Sequence, residues 1–180
     1  MDLERLKQQD ARAFAELVAE HQAIILGLGQ SLGLRGPDLD DAAAEAFAAV
    51  YRALPRFEAR AQLGTWVYRI AYRVIVKART KRRRHATVEL PDEPSATPAA
   101  GDAGPMQRAE QAETAVAVWS AVESLDERSA TAVELYYRRE WPLEKIADVL
   151  ECPVGTVKTL LYRARERLRT LLSSQQEISP

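Results

Sequence analysis

The stretch that most constrains the fold is 144–169, EKIADVLECPVGTVKTLLYRARERLR, because it holds two helical patterns separated by a break. The break contains Cys152 and Pro153, and proline disfavours a helical conformation in the residue before it. Thr156 can cap the second helix, whose apolar residues recur at helical spacing. Its polar face carries Lys158 and four arginines against a single acid, Glu166. This pattern is typical of a helix-turn-helix whose second helix lies in the DNA major groove, although a surface hairpin with a solvated basic face would look the same.

A second basic segment lies upstream and favours nucleic acid. The net charge of −1 is uninformative, but the charges are unevenly distributed along the chain. Residues 60–84 contain nine basic residues and no acid, whereas residues 1–58 contain ten acids and six basic residues. Such asymmetry indicates that different segments meet different partners.

The basic segment predicts a helix that starts at Thr65, TWVYRIAYRVIVKARTKRRR. Arg69, Arg73 and Lys77 recur every four residues and share one face, where like charges repel unless an external polyanion binds them. Aromatic residues are interleaved with these basic residues. Basic side chains beside aromatic rings suit the binding of unstacked nucleic acid. The alternative is that Trp66 belongs to the core and that the arginines only solubilise the surface.

Two earlier helices are predicted from apolar periodicity, over 10–28 and 38–54. Asp38 or Asp40 can cap the second one, and its early acids suit the positive end of the helix dipole. His21 has charged neighbours and is expected at the surface. Residues 87–105 are rich in proline, alanine and glycine with little apolar periodicity, which is typical of an extended linker.

The fold class expected is all-α, with an N-terminal helical bundle (1–86) and a C-terminal helix-turn-helix domain (108–174) joined by a flexible linker (87–107). The single cysteine excludes an internal disulfide, and His21 and His85 lack ligand spacing, so no metal or cofactor is expected. No nucleophile–base pair, phosphate loop or paired carboxylates indicate an enzyme. No signal peptide or membrane-length apolar run is found, which predicts a cytoplasmic protein.

Three segments in series resemble the extracytoplasmic-function (ECF) group of bacterial sigma factors. They are DLDDAAAEAFAAVYRALPRF (38–57), TWVYRIAYRVIVKARTKRRR (65–84) and LDERSATAVELYYRREWPLEKIADVLECPVGTVKTLLYRARERLR (125–169). The resemblance implies a removable specificity subunit of RNA polymerase that binds core enzyme, locates a promoter and helps to open it. It also implies control by an anti-sigma partner.

The resemblance further implies roles for individual residues. The acidic helix would contact the clamp helices of the polymerase through Asp40, Asp41 and Glu45, and the C-terminal domain would dock on the flap. The loop 57–64 and the basic helix would read and melt the −10 element, and the helix-turn-helix would read the −35 element. The DNA-contacting residues expected are Arg60, Trp66, Arg69, Arg73, Lys77, Lys81, Arg84, Thr156, Lys158, Thr159, Tyr162, Arg163 and Arg165.

The chain departs from the usual pattern of this family at six positions. They are Ala44 (usually Gln), Leu63 (commonly Phe), Arg73 (usually Asn), Lys77 (often Asp), Glu151 (usually Gly) and Leu160 (frequently Arg). Arg73 and Lys77 can exchange base contacts for phosphate contacts, which position a protein without specifying a sequence. Two other interpretations remain open at this point: a stand-alone helix-turn-helix regulator, and a sigma-like interaction module that does not initiate transcription.

Overall fold

The computed structural model describes residues 2–86 and 118–176, and all regular structure in these two ranges is helical. This confirms the all-α fold class. The N-terminal part contains α1 (Leu3–Lys7), α2 (Ala11–Ser31), α3 (Gly36–Ala53), a 3-10 turn (Leu54–Arg56) and α4 (Leu63–Ala86). The predicted linker, 87–107, lies outside the described residues.

The C-terminal part is a bundle of shorter helices that ends in one long helix. It contains helical residues 118–123 (α5), α6 (Glu127–Val133), a π-helical turn (Glu134–Arg138), α7 (Leu143–Leu150) and α8 (Val154–Gln176). Three residues separate α7 from α8, so the predicted helix-turn-helix is present. Glu151 ends α7 in the left-handed conformation, with φ 51° and ψ 52°.

Helix α6 has a side-chain cap, whereas α3 has none. Asp126 caps α6 by accepting a hydrogen bond from the Ser129 amide at 3.0 Å. The predicted cap of α3 is wrong: this helix begins at Gly36, and Pro37 fits its first turn because proline has the required φ and lacks an amide donor. Asp38 lies in that first turn, where its negative charge interacts favourably with the positive end of the helix dipole.

The predicted cap of the second helix of the helix-turn-helix is also wrong. Helix α8 begins at Val154, two residues before Thr156. The Pro153 carbonyl accepts hydrogen bonds from the amides of Thr156, at 2.9 Å, and Val157, at 3.3 Å. Proline has no amide that needs a partner, so the helix starts directly after it.

The apolar faces of α2, α3 and α4 form the N-terminal core, and those of α6, α7 and α8 form the C-terminal core. Completely or almost completely buried side chains in the first core include Leu17, Ile25, Leu28, Val50, Val67 and Ile75. In the second they include Leu135, Ile146, Val157 and Leu161. Burying one such side chain contributes about 1.5–3 kcal/mol to stability.

The two cores are continuous in this structure. Helix α4 packs on α2 and α3 and also on α7, and the π-helical turn packs on α2. At the junction the rings of Tyr68 and Trp141 lie 4.8 Å apart, centroid to centroid. The two bundles that the sequence predicts are therefore packed against each other.

We expect Asp126→Ala to lower the free energy of unfolding by about 1 kcal/mol, because the first turn of α6 loses a side-chain acceptor. Urea unfolding followed by circular dichroism measures this. Asp126→Asn is the matched control, since asparagine caps as well as aspartate. An asparagine variant as unstable as the alanine variant would show that the carboxylate charge, and not the cap, stabilises α6.

Candidate nucleic-acid interface

The basic face of α4 is present and largely exposed. One side of this helix carries Arg69, Arg73, Lys77 and Lys81, while its opposite stripe of Val67, Ala71 and Ile75 is buried. The Arg73 side chain is 61% exposed and that of Arg69 is 29% exposed. Burial of the apolar stripe fixes the rotation of α4, so these bases must face outward.

The remaining predicted residues of this segment lie near both ends of the basic face. Arg60 is exposed in the loop before α4 and pairs with Glu58 at 2.8 Å. Arg84 is exposed near the end of α4. Trp66 is half-buried against the core, with its ring 4.8 Å from that of Phe57. Trp66 is therefore partly a core residue and keeps one part accessible.

The second basic surface lies on α8. All the predicted contact residues of this helix except Thr156 are exposed: Lys158, Thr159, Tyr162, Arg163 and Arg165. Thr156 is half-buried, and the Thr159 hydroxyl donates to the Gly155 carbonyl at 3.0 Å. Tyr162 is 61% exposed.

Part of the α4 face is occupied by the helix-turn-helix itself. Arg73 Nη2 donates to both carboxylate oxygens of Glu151, at 2.7 and 2.6 Å. Arg69 Nε donates to the Asp148 carbonyl at 3.0 Å and lies 3.8 Å from the Glu151 carboxylate. The structure thus brings two predicted DNA-contacting residues together with the turn between α7 and α8, which the sequence did not predict.

A cavity of about 740 Å³ lies where the loop before α4 meets the C-terminal half. The N-terminal half supplies Phe57, Gln62, Gly64, His21 and Tyr68 among its walls, and the C-terminal half supplies Trp141 and Lys145. The ammonium group of Lys145 lies 3.6 Å from the centre of the Trp141 ring. Burial lowers the pKa of Lys145 and raises that of Tyr68.

His21 is buried, so the expectation of a surface position is wrong. Its Nδ1 atom lies 2.7 Å from the Tyr68 hydroxyl, and the side chain is 7% exposed. Burial lowers the pKa of His21, Glu20 raises it and Lys145 lowers it further. Charged neighbours in sequence misled the prediction because they point outward from a helix whose inner face includes position 21.

The acidic surface predicted on α3 is exposed. Asp40, Asp41 and Glu45 all face solvent, as does Ala44 between them. Glu45 pairs with Arg52 at 2.7 Å, one of the few basic residues nearby. Leu39, Ala43 and Ala46 are buried on the other side of this helix, which holds the acids outward.

Comparison with known proteins identifies the family. Residues 17–85 match the model of sigma-70 region 2, and residues 115–168 match that of sigma-70 region 4. The RNA polymerase sigma-H factor of Pseudomonas aeruginosa is 33% identical over 92% of this chain and 89% of its own length. The ECF RNA polymerase sigma-E factor of Escherichia coli K12 is 31% identical, over 92% and 90%. The chain belongs to the ECF group of sigma-70 factors.

Two solved structures share the fold of this sigma factor. One is CnrH in complex with the cytosolic domain of CnrY, with a TM-score of 0.70 at 24% identity, covering 96% of this chain and 95% of that one. The other is RpoE with the anti-sigma factor NepR from Bartonella quintana, with a TM-score of 0.69 at 19% identity, covering 94% and 99%.

Family membership decides among the three interpretations left open by the sequence. The protein is an alternative sigma factor, which binds core RNA polymerase and directs promoter-specific initiation of transcription. A stand-alone helix-turn-helix regulator would not account for the match to region 2. Sigma factors are not enzymes and act by binding.

Two features are absent from the part of this sigma factor that the structure describes. No helix within 2–86 or 118–176 is long and apolar enough to cross a membrane. In the same ranges no three side chains among histidine, cysteine, aspartate and glutamate converge as metal ligands would.

Sequence reasoning missed one arginine of this sigma factor. Arg79 is 7% exposed and its Nη2 donates to the carbonyls of Glu123, at 2.9 Å, and Leu125, at 3.0 Å. The helical spacing could have predicted this burial, because position 79 follows the buried Ile75 by four residues and so lies on the inner stripe of α4. Counting bases alone placed it with the exposed arginines.

The buried histidine makes stability depend on pH. Because the folded-state pKa of His21 lies below the unfolded value of about 6.5, only the unfolded chain gains a proton just below that pH. The free energy of unfolding should therefore fall as the pH drops from 6.5 toward the lower folded-state pKa, and His21→Gln should reduce this fall. Urea unfolding at pH 5.5 and 7.5 measures the difference.

The matched control for this measurement is His85→Gln, which alters the other histidine of the sequence. A pH-dependent difference that persists in His21→Gln and disappears in His85→Gln would contradict the assignment to His21.

Proposed function

We propose that this sigma factor contacts DNA through two basic surfaces and core polymerase through one acidic surface. The observation that carries the proposal is that burial of the apolar stripes of α3, α4 and α8 directs the charged residues of these helices away from the cores. We assign region 2 to 1–86, the linker to 87–107 and region 4 to 108–174. The protein is proposed to act in the cytoplasm, where polymerase is found, without catalytic activity of its own.

The −10 element is assigned to α4 and the loop before it. Lys77 and Lys81 are exposed along the helix, and Arg60 extends from the loop. Together with Arg69, Arg73 and Arg84 these side chains supply positive charge over the length of α4, which suits the phosphate backbone. Half-buried Trp66 is placed to stack with an unpaired base.

The −35 element is assigned to the exposed face of α8. Lys158 and Arg163 are the base-reading candidates, because the N-terminal part of a recognition helix contacts base edges. We assign Thr156, Thr159 and Tyr162 to the major groove as well, and Arg165 to the flanking phosphates. Leu160 is half-buried and packs against the core, so this position contributes to packing.

The clamp helices of core polymerase are assigned to Asp40, Asp41 and Glu45, and the flap to region 4. Acids that face a basic partner steer association and fix its orientation. We also propose an anti-sigma partner, because RpoE of Bartonella quintana, which shares the fold, was solved with the anti-sigma factor NepR. Its test is whether a protein that copurifies with the tagged chain stops transcription in vitro.

Run-off transcription with purified core enzyme and a pool of randomised promoters tests the proposal. The wild-type chain should select templates and start transcripts on them. Lys158→Ala and Arg163→Ala should each lower the yield on a selected template by about 5- to 150-fold, since one good base contact contributes about 1–3 kcal/mol. The matched control is Arg169→Ala, because Arg169 lies farther along α8 and pairs with Glu166. Absence of any transcript with the wild-type chain would refute the proposal.

The polymerase surface has a separate test. Asp41→Arg should weaken holoenzyme assembly, measured by competition with labelled wild-type protein for core enzyme, because it reverses a charge on an exposed surface. Glu16→Arg is the matched control: it makes the same charge change on α2, where Glu16 is 58% exposed. Equal competition by both variants would remove α3 from the interface with core enzyme.

A further inference from the structure

The contact between α4 and the turn of the helix-turn-helix joins the surfaces assigned to the two promoter elements. A forked pair of hydrogen bonds, 2.7 and 2.6 Å long, connects Arg73 to the carboxylate of Glu151. Arg69 reinforces it through the Asp148 carbonyl at 3.0 Å. Because both groups are charged, these hydrogen bonds are stronger than hydrogen bonds between neutral groups.

Glu151 occupies a backbone conformation that side chains rarely adopt. Its φ of 51° and ψ of 52° lie in the left-handed region, which favours glycine. The structure nevertheless has a charged side chain there, and its carboxylate lies on the α4 side of the turn. The acid therefore meets α4 at the point where the chain reverses between α7 and α8.

Other contacts hold the same closed arrangement. Arg139 Nη2 donates to the Ala23 carbonyl at 2.7 Å, and Arg35 pairs with Glu123. Trp141 packs on Tyr68, so the C-terminal half also supplies one wall of the cavity beside the loop before α4. The packing of the two halves therefore covers part of the basic face of α4 and also forms one wall of the cavity.

We propose that Arg73 and Glu151 form an intramolecular latch that keeps the free sigma factor closed and competes with promoter DNA for the basic face of α4. This inference rests on the proposed function, because it takes Arg73 as a DNA contact. The guanidinium group of Arg73 cannot hold the Glu151 carboxylate and a phosphate in the same geometry. Opening exchanges one anion for the other, so Arg73 is paired in both states.

The latch is weak enough to be released. Glu151 is 45% and Arg73 61% exposed at the side chain, and an exposed ion pair changes an equilibrium by only about two- to fivefold. Such a pair biases the closed state without locking it. Salt weakens it further, because exposed charges are screened by mobile ions.

The latch can be tested by measuring the separation of the two halves in the free, full-length chain. Spin labels are attached at Arg12→Cys and Arg167→Cys, both exposed positions, in a Cys152→Ser background. The closed state should give one short, narrow distance distribution. Arg73→Glu and Glu151→Arg should each raise the ratio of open to closed molecules at least two- to fivefold, and the double charge reversal should restore the wild-type distribution.

Glu151→Gln removes the charge of the latch, and Glu140→Gln is its matched control. Glu140 is also exposed, also belongs to the C-terminal half, and also has a left-handed backbone, with φ 52°. Only Glu151→Gln should broaden the distribution. Identical distributions in both glutamine variants, or no restoration by the double reversal, would overturn the latch.

A second variant opens the interface without changing any charge. A Cβ atom added at Gly27 would lie 2.4 Å from Arg139 Nη2 and 2.7 Å from Glu134 Oε1, while alanine favours the helix α2 itself. Gly27→Ala should therefore also raise the open fraction. If the charge reversals leave the distances unchanged and Gly27→Ala broadens them, the halves close without the latch, and the proposal fails.

The same proteins, without labels, are then mixed with core enzyme. Run-off transcription by the wild-type chain together with unchanged distances in Glu151→Gln would refute the latch and leave the proposed function intact. Distances that respond as expected, with no transcript from the wild-type chain, would refute the proposed function instead.

Discussion

The packing of α4 turns its basic face outward and holds the helix-turn-helix against the N-terminal core. Its inner stripe, with Val67, Ala71 and Ile75, is buried against α2 and α3. Because that stripe fixes the rotation of the helix, the bases at four-residue intervals can only face outward. The same helix continues past the N-terminal core and packs on α7, so it also sets the position of the helix-turn-helix.

The exposed bases of α4 and the buried Arg79 show how one residue type serves two purposes. Arg79 gives its guanidinium hydrogen bonds to carbonyl oxygens of the C-terminal half, and burial lowers its pKa while Glu127 raises it. Arg73 remains accessible and holds a carboxylate that a phosphate can replace. The difference lies in register alone, since the two positions are six residues apart on one helix.

Much of this architecture was predictable from sequence, because periodicity and turn chemistry are local. The all-α class, the helix-turn-helix and the exposed acids of α3 follow from apolar spacing and from the break at Pro153. Burial of His21 was not predictable, since its partner Tyr68 is 47 residues away. The predicted caps at Asp38 and Thr156 are wrong because α3 and α8 each begin two residues before these side chains, with Pro37 in the first turn of α3 and Pro153 directly before α8. Arg73 and Glu151, two departures from the usual pattern of the family, are partners in space, and no local pattern connects residues 78 positions apart.

The two halves of the molecule belong to one polypeptide, and this changes what can separate them. Their association is unimolecular, so the closed fraction does not depend on the concentration of the protein. Dilution therefore leaves the closed fraction unchanged, and synthesis of more protein raises the open and closed forms in the same proportion. The balance shifts when an agent binds one half in a way that the other half obstructs, or when salt screens the pairing of Arg73 with Glu151.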